Sequence, residues 1–195
     1  GVFTLGCFNN FAKVTPPVID CWGELLRQLP QARLLLEIHG AEEDAFADDI
    51  RQRFVAAGAR PEQVDILPRR AGQQYVLYRQ VDLALDPFPC CGGTTSCDSL
   101  WMGVPFVTLA GNSFVSRMGV TLLHNIGLAE LIAQDVAGYQ ALVLALARDL
   151  PRLRALREGL RERVQTSPLM DGPRFARHFA QGLQQMWQAQ IGRAQ

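Results

Sequence analysis

Apolar residues in this chain gather in short runs that alternate with longer stretches whose apolar positions recur every three or four residues. Runs at 3–8, 32–38, 64–67, 81–85 and 105–109 have the length and composition of buried strands. The stretches between them, from Pro16 to about 29, over 42–57 and, more briefly, over 73–80, have the spacing of helices with one face on a core. The punctuation agrees. Thr15 is placed to cap the first helix and Pro16 and Pro17 suit its first turn, while Pro30 and Gly58 mark helix ends. A turn at 92–95 precedes a further helix through 98–102. Strands and helices in strict alternation are the mark of parallel βα units. Right-handed crossovers then make a Rossmann-like α/β fold, a parallel sheet with helices on both faces, the economical topology. Beyond 109 the pattern becomes mostly helical, over 116–125, 136–150, 151–164 and from 173 onward, with a short apolar piece at 131–133. The chain thus divides into a Rossmann-like lobe over 1–165 and a helical C-terminal extension over 166–195.

Composition narrows the function classes. With 195 residues, 48% of them hydrophobic, the chain can bury a sizeable core. Nineteen basic residues balance nineteen acidic ones, so no net field recruits nucleic acid or an anionic membrane. Five cysteines, with no CxxC pair and with Cys90 beside Cys91, suit neither a disulfide framework nor a zinc site. That usage points to a reducing compartment, the cytoplasm. No apolar stretch approaches the roughly 18 residues a membrane span needs, and the N-terminus lacks a signal-peptide pattern. Beginning without methionine, directly in a strand-like run at 2–8, the chain reads as a piece of a longer protein.

In open parallel sheets, ligands bind beyond the C-terminal ends of the strands, and three polar-rich turns fall there, at 9–13, 69–74 and 90–98. Gly92-Gly93-Thr94-Thr95 lies between a strand and a helix. Glycine there lets a ligand approach the backbone, while free helix N–H groups and threonine hydroxyls point at an anion. A tight turn with a threonine cap explains the same four residues. The pattern is neither GxGxxG nor a P-loop. Asp98, about one turn into the helix, is placed to accept both hydroxyls of a ribose or, equally, to compensate the helix dipole. Lys13 would set a compact cation beside a diphosphate, and Asn10 would add amide hydrogen bonds. Such groups stabilise a departing nucleoside diphosphate without a metal. A solvated loop lysine is the other reading, and only convergence of Lys13 with the Thr94 region in space separates the two. His39, His124 and His178 share no metal-ligand spacing and read as structural. Trp22, Trp101 and Trp187 sit on apolar helical patterns and read as core. Arg154, Arg157 and Arg161 read as a solvated helical face.

Three stretches carry a resemblance in their order and spacing. They are Phe8-Asn9-Asn10-Phe11-Ala12-Lys13-Val14-Thr15-Pro16, Val81-Asp82-Leu83-Ala84-Leu85-Asp86-Pro87-Phe88-Pro89, and Gly92-Gly93-Thr94-Thr95-Ser96-Cys97-Asp98-Ser99-Leu100-Trp101-Met102-Gly103-Val104-Pro105. Together they resemble the C-terminal catalytic lobe of the O-GlcNAc transferase and SPINDLY family of protein glycosyltransferases, and Ser116-Arg117, Gly127-Leu128, Ser167-Pro168 and Met186-Trp187 continue the likeness. The resemblance implies the C-terminal half of a two-lobed GT-B fold that binds the nucleotide sugar. A preceding lobe with tetratricopeptide repeats would present the protein acceptor. Carried over by position, Asn10, Lys13, Gln74, Gly92, Gly93, Thr94, Thr95 and Asp98 would contact the donor, with Lys13 at the diphosphate, Thr94 and Thr95 at phosphate and Asp98 at the ribose.

The implied reaction is inverting, metal-independent transfer of GlcNAc from UDP-GlcNAc to a Ser or Thr hydroxyl, with no cofactor beyond the donor. Gln74 stands where family members usually have a histidine near the nucleotide, and Gly93 replaces a histidine of the animal enzymes. The Phe-Asn-Asn stretch and Gly-Gly-Thr-Thr are closer to the SPINDLY branch, some of whose members transfer fucose from GDP-fucose, so that donor is the alternative. The same two departures also admit a non-catalytic nucleotide-binding or interaction module.

Overall fold

The short apolar runs form six strands in the computed structural model, which describes residues 1–73 and 75–192. They are Thr4–Cys7 (β1), Arg33–Ile38 (β2), Val64–Pro68 (β3), Leu83–Leu85 (β4), Phe106–Leu109 (β5) and Ile132–Ala133 (β6). All pair in parallel, in the order β3-β2-β1-β4-β5-β6. This is the doubly wound order, with the reversal of direction between β1 and β4. Helices connect and follow them: Pro16–Gln28 (α1), Asp44–Ala56 (α2), Thr94–Trp101 (α3), Met118–Asn125 (α4), Val136–Arg148 (α5), Leu150–Glu158 (α6), Leu160–Gln165 (α7) and Gly172–Gly192 (α8).

Alternate residues of one strand serve both faces, as a sheet covered on each side requires. Leu34, Leu36 and Ile38 join Trp22, Leu25, Ile50 and Phe54 in the larger apolar cluster, whereas Leu35 meets Phe8, Tyr78, Val81 and Val104 in a smaller one. Among the described residues no helix is long and apolar enough to cross a membrane.

Several local expectations are corrected. Thr15 does not cap α1 with its side chain; its hydroxyl donates instead to the Phe88 carbonyl at 3.4 Å, joining the start of α1 to the chain after β4. With proline opening the helix, fewer N–H groups there need a cap. Among the described residues of 73–80 a 3-10 turn at Leu77–Gln80 stands in place of the expected helix, and 151–164 splits into α6 and α7 at Gly159. The apolar piece near 131–133 supplies β6, a sixth strand too short for a periodicity to register. Trp22 is core, but Trp101 is 36% exposed and Trp187 67%. Arg157 and Arg161 are not free in solvent. Arg157 donates to the carbonyls of Val81 and Asp82, and Arg161 donates to the Trp101 carbonyl while its guanidinium lies 5.1 Å from the Trp101 ring centre. The helix α8 has no buried residue, and Phe175, Phe179, Leu183, Met186 and Trp187 are all exposed.

One buried amide ties the edge of the sheet to α1. Gln63 Nε2 shares its two hydrogens among the carbonyls of Leu26, Leu29 and Ala32, at 3.1, 3.1 and 2.9 Å, while its Oε1 accepts the Arg60 N–H. Gln63→Ala leaves those carbonyls short of a donor and is expected to lower the unfolding free energy by about 1–3 kcal/mol in a urea titration. Gln63→Glu, which turns an acceptor toward three acceptors, should cost more.

Candidate functional site

The loops after β1 and β4 leave the centre of the sheet in opposite directions, because β1 leads to β2 on one side and β4 to β5 on the other. A crevice opens where they part. After β1, buried Asn9 is followed by exposed Asn10, whose Oδ1 accepts the Ala12 N–H at 3.0 Å and closes the 3-10 turn Phe11–Lys13. That turn sends Lys13 across the crevice. Its Nζ donates to the Cys91 carbonyl at 3.0 Å and lies 3.4 Å from Asn9 Oδ1. Lys13 therefore meets the glycine-rich turn itself, and a freely solvated loop lysine does not describe it.

On the β4 side the chain passes Asp86, turns, and enters α3 at Thr94. Gly93 occupies the cap position, so neither threonine caps the helix with its side chain. Thr94 and Thr95 begin α3, and their N–H groups have no carbonyl four residues back to bond. Such donors, with the helix dipole behind them, favour an anion. Gly92 is confined: a Cβ there would stand 2.2 Å from Ser96 Oγ, 3.0 Å from Asp86 Oδ1 and 3.1 Å from Asn9 Oδ1. Gly93 has open space around it. The backbone at Thr95 is also held from below, where the Tyr78 hydroxyl donates to its carbonyl at 3.1 Å and the Tyr78 ring packs edge-on to Phe8.

Asp98 is partly exposed on α3. Burial pushes its carboxyl up, opposed by a hydrogen bond from Tyr75 and by the charge of Arg69. Arg69 also reaches Glu37 Oε2 at 4.0 Å. Burial raises the Glu37 carboxyl against that cation. Asn9, Asn10, Phe11, Glu37, His39 and Arg69 line a cavity of about 550 Å³ beside the crevice. Of the eight residues proposed from sequence, Asn10, Lys13, Gly92 and Gly93 lie on the two loops that meet, Thr94 and Thr95 open α3, and Asp98 lies one turn along it. Gln74 lies outside the described residues. His39, His124 and His178 are exposed and far apart in the chain.

The profile of glycosyl transferase family 41 matches residues 2–179. The chain belongs to this family. A relative from Solanum lycopersicum, named a probable UDP-N-acetylglucosamine–peptide N-acetylglucosaminyltransferase SPINDLY, is 38% identical over 193 residues; the match covers 96% of this chain and 20% of the relative. The chain thus spans about a fifth of the length of that protein. A solved point mutant of the Thermobaculum terrenum O-GlcNAc transferase is 32% identical and superposes with a TM-score of 0.93, covering all of this chain and 38% of the other. The C-terminal domain of a group 1 glycosyl transferase from Francisella tularensis superposes at a TM-score of 0.62 over 85% of this chain and 86% of that one, at 14% identity, and shows the fold alone. The family 41 lobe is therefore the Rossmann-like C-terminal half of a GT-B glycosyltransferase.

Residues absent from the sequence-based site complete the family 41 lobe's crevice. Asp86, 2% exposed, accepts the Gly92 N–H at 2.7 Å and the Ser96 hydroxyl at 3.4 Å on Oδ1, and the Thr108 hydroxyl at 2.7 Å on Oδ2. Gly119 makes room for it, since a Cβ there would lie 2.6 Å from Asp86 Oδ2. Asn9 and Tyr75 are the others. The one signal for Asp86 and Asn9 in the sequence is a polar residue directly after a buried strand, which is common in loops of every kind.

Burial pushes the Asp86 carboxyl up to about 6, against hydrogen bonds from Thr108, Gly92 and Ser96 and the charge of Lys13. A carboxyl raised in the folded state holds its proton to higher pH than in the unfolded chain. Its stabilising contribution is complete below about pH 4 and is lost as pH rises through about 6, on the order of 3 kcal/mol in all. Unfolding free energies of wild type and Asp86→Asn, compared between pH 4 and 7, should differ by that slope, the variant lacking it.

Proposed function

We propose that this chain is the donor-binding lobe of an inverting, metal-independent protein O-GlcNAc transferase that takes UDP-GlcNAc and acts in the cytoplasm. The observation that carries the reading is the 3.0 Å contact of Lys13 Nζ with the Cys91 carbonyl, which puts a cation at the mouth of the turn that opens α3. A diphosphate seated there would meet the Lys13 ammonium on one side and the N–H groups and hydroxyls of Thr94 and Thr95 on the other. Asp98, a turn further on, would accept the ribose hydroxyls. Asn10 would contribute an amide, and Gln74 would line the nucleotide.

In the reaction, a Ser or Thr hydroxyl of a protein acceptor attacks the sugar's anomeric carbon from the face opposite the diphosphate. The bond from that carbon to the phosphate oxygen breaks as the new one forms, and the hydroxyl proton passes to a general base. Negative charge grows on the leaving diphosphate, so groups already aimed at it lower the barrier. No other cation is required for that step on this reading. The acceptor would be presented by repeats that precede the preceding lobe. Five free cysteines suit a reducing compartment.

A second donor, GDP-fucose, is the alternative that the Phe8-Asn9-Asn10 and Gly92-Gly93-Thr94-Thr95 stretches suggest through their likeness to the SPINDLY branch, whereas the printed name of the tomato relative gives UDP-N-acetylglucosamine. Both donors share the diphosphate on which the reading rests.

Lys13→Ala in the complete protein is expected to lower kcat by roughly a hundredfold or more. Asp98→Ala should chiefly raise the donor KM, about tenfold. Turnover with a panel of UDP-GlcNAc and GDP-fucose, measured as sugar transferred to protein, separates the two donors. Full activity of the Lys13 variant would remove its role, and nucleotide binding without transfer would mark a non-catalytic module.

A further inference from the structure

The peptide unit joining Cys91 to Gly92 is gripped at both ends by charged side chains. Its carbonyl accepts from Lys13 Nζ at 3.0 Å, and its N–H donates to Asp86 Oδ1 at 2.7 Å. We propose that Asp86 is a positioning residue for donor binding, acting through the Cys91–Gly92 peptide on Lys13 and on the turn that opens α3. The proposal rests on the reading that Lys13 and α3 receive the donor's diphosphate.

The geometry allows the carboxylate a single aim. Thr108 Oγ1 donates to Oδ2 at 2.7 Å, Ser96 Oγ lies 3.4 Å from Oδ1, and the Tyr139 hydroxyl donates to the Asp86 carbonyl at 3.2 Å. The absence of a side chain at Gly119 leaves just the space that Oδ2 occupies. With Oδ1 fixed, the Gly92 N–H must point inward. The same peptide plane then directs the Cys91 carbonyl to Lys13, because the two groups lie on opposite edges of one rigid unit. An anion at one end and a cation at the other polarise the amide in the same sense, so each contact strengthens the other. Turning the peptide would release both at once.

An ionised carboxylate in this place is costly, and a neutral amide of the same shape would cost less. Asparagine at 86 keeps an acceptor for the Gly92 N–H and offers Thr108 a donor in place of an acceptor. Asp86→Asn therefore removes the charge while keeping the shape. The groups that face Asp86 are Lys13 from the 3-10 turn, Cys7 from β1, Cys91 from the loop and Tyr139 from α5. Burial raises both thiols and the phenol, Cys7 to about 12, so all three stay neutral between pH 5 and 8. Ser96, Thr108 and Gly119, from α3, β5 and α4, bring no charge.

The test is calorimetric titration of the complete protein with intact UDP-GlcNAc and GDP-fucose, whose bridged diphosphates keep a constant charge from pH 5.5 to 8. At pH 7.5, Asp86→Asn should bind the accepted donor about tenfold more weakly or worse, with a thermal midpoint equal to or above that of wild type. Wild-type affinity should fall as pH drops through about 6, and the variant's should not. Thr108→Val takes one donor from the carboxylate and should move that fall to higher pH, which tests the proposal even if Asp86→Asn does not fold. Equal affinity and an equal pH profile in wild type and Asp86→Asn, or an unmoved profile in Thr108→Val, would overturn the proposal and leave the donor reading standing. Wild type that binds neither sugar nucleotide would remove the donor reading and this proposal with it.

Discussion

A carboxylate with almost no water around it must be hydrogen-bonded by its surroundings, and in this chain that demand falls on Asp86. The groups that meet it come from the chain entering α3, from β5 and, as empty space, from α4. Segments far apart in sequence therefore have to arrive together for one side chain to be satisfied. The turn that opens α3 is the outer side of that arrangement. Its outward N–H groups are free because its inward one is taken.

The chain's zero net charge is compatible with this. On the proposed reading, a binding corner for an anion needs local donors with a fixed direction, and one lysine with a helix start supplies them without a long-range field. The wider electrostatics around the crevice are mixed. Glu37 and Asp98 are both held up by burial and both eased by Arg69, so this arginine serves two acids on neighbouring parts of the rim.

Much of the fold is legible in the order of apolar runs. Five of the six strands are strong enough in composition to be read directly, and parallel pairing follows from the helices between them. The sixth, two residues long, has no periodicity to detect and owes its place to β5. Exposed Trp101 and Trp187 mislead for a related reason: an apolar stripe states that a helix has a face, and not what covers it. In the site, Lys13 and Gly92 to Asp98 stand out because their residue types are unusual at a strand-to-helix turn. Asp86, Asn9 and Tyr75 do not, since an aspartate, an asparagine or a tyrosine in a loop has many ordinary explanations until its neighbours are known.

The strand order separates two jobs that a nucleotide sugar sets. On the proposed reading, the grip on the diphosphate is built on the connections after β1 and β4, where Asp86, Gly92 and Gly119 admit little change. Arg69 and Tyr75 arrive on another connection, between β3 and β4, which is largely exposed. On the proposed reading, relatives of such a lobe inherit the anion-binding knot unaltered, while the exposed connection between β3 and β4 is left free to vary.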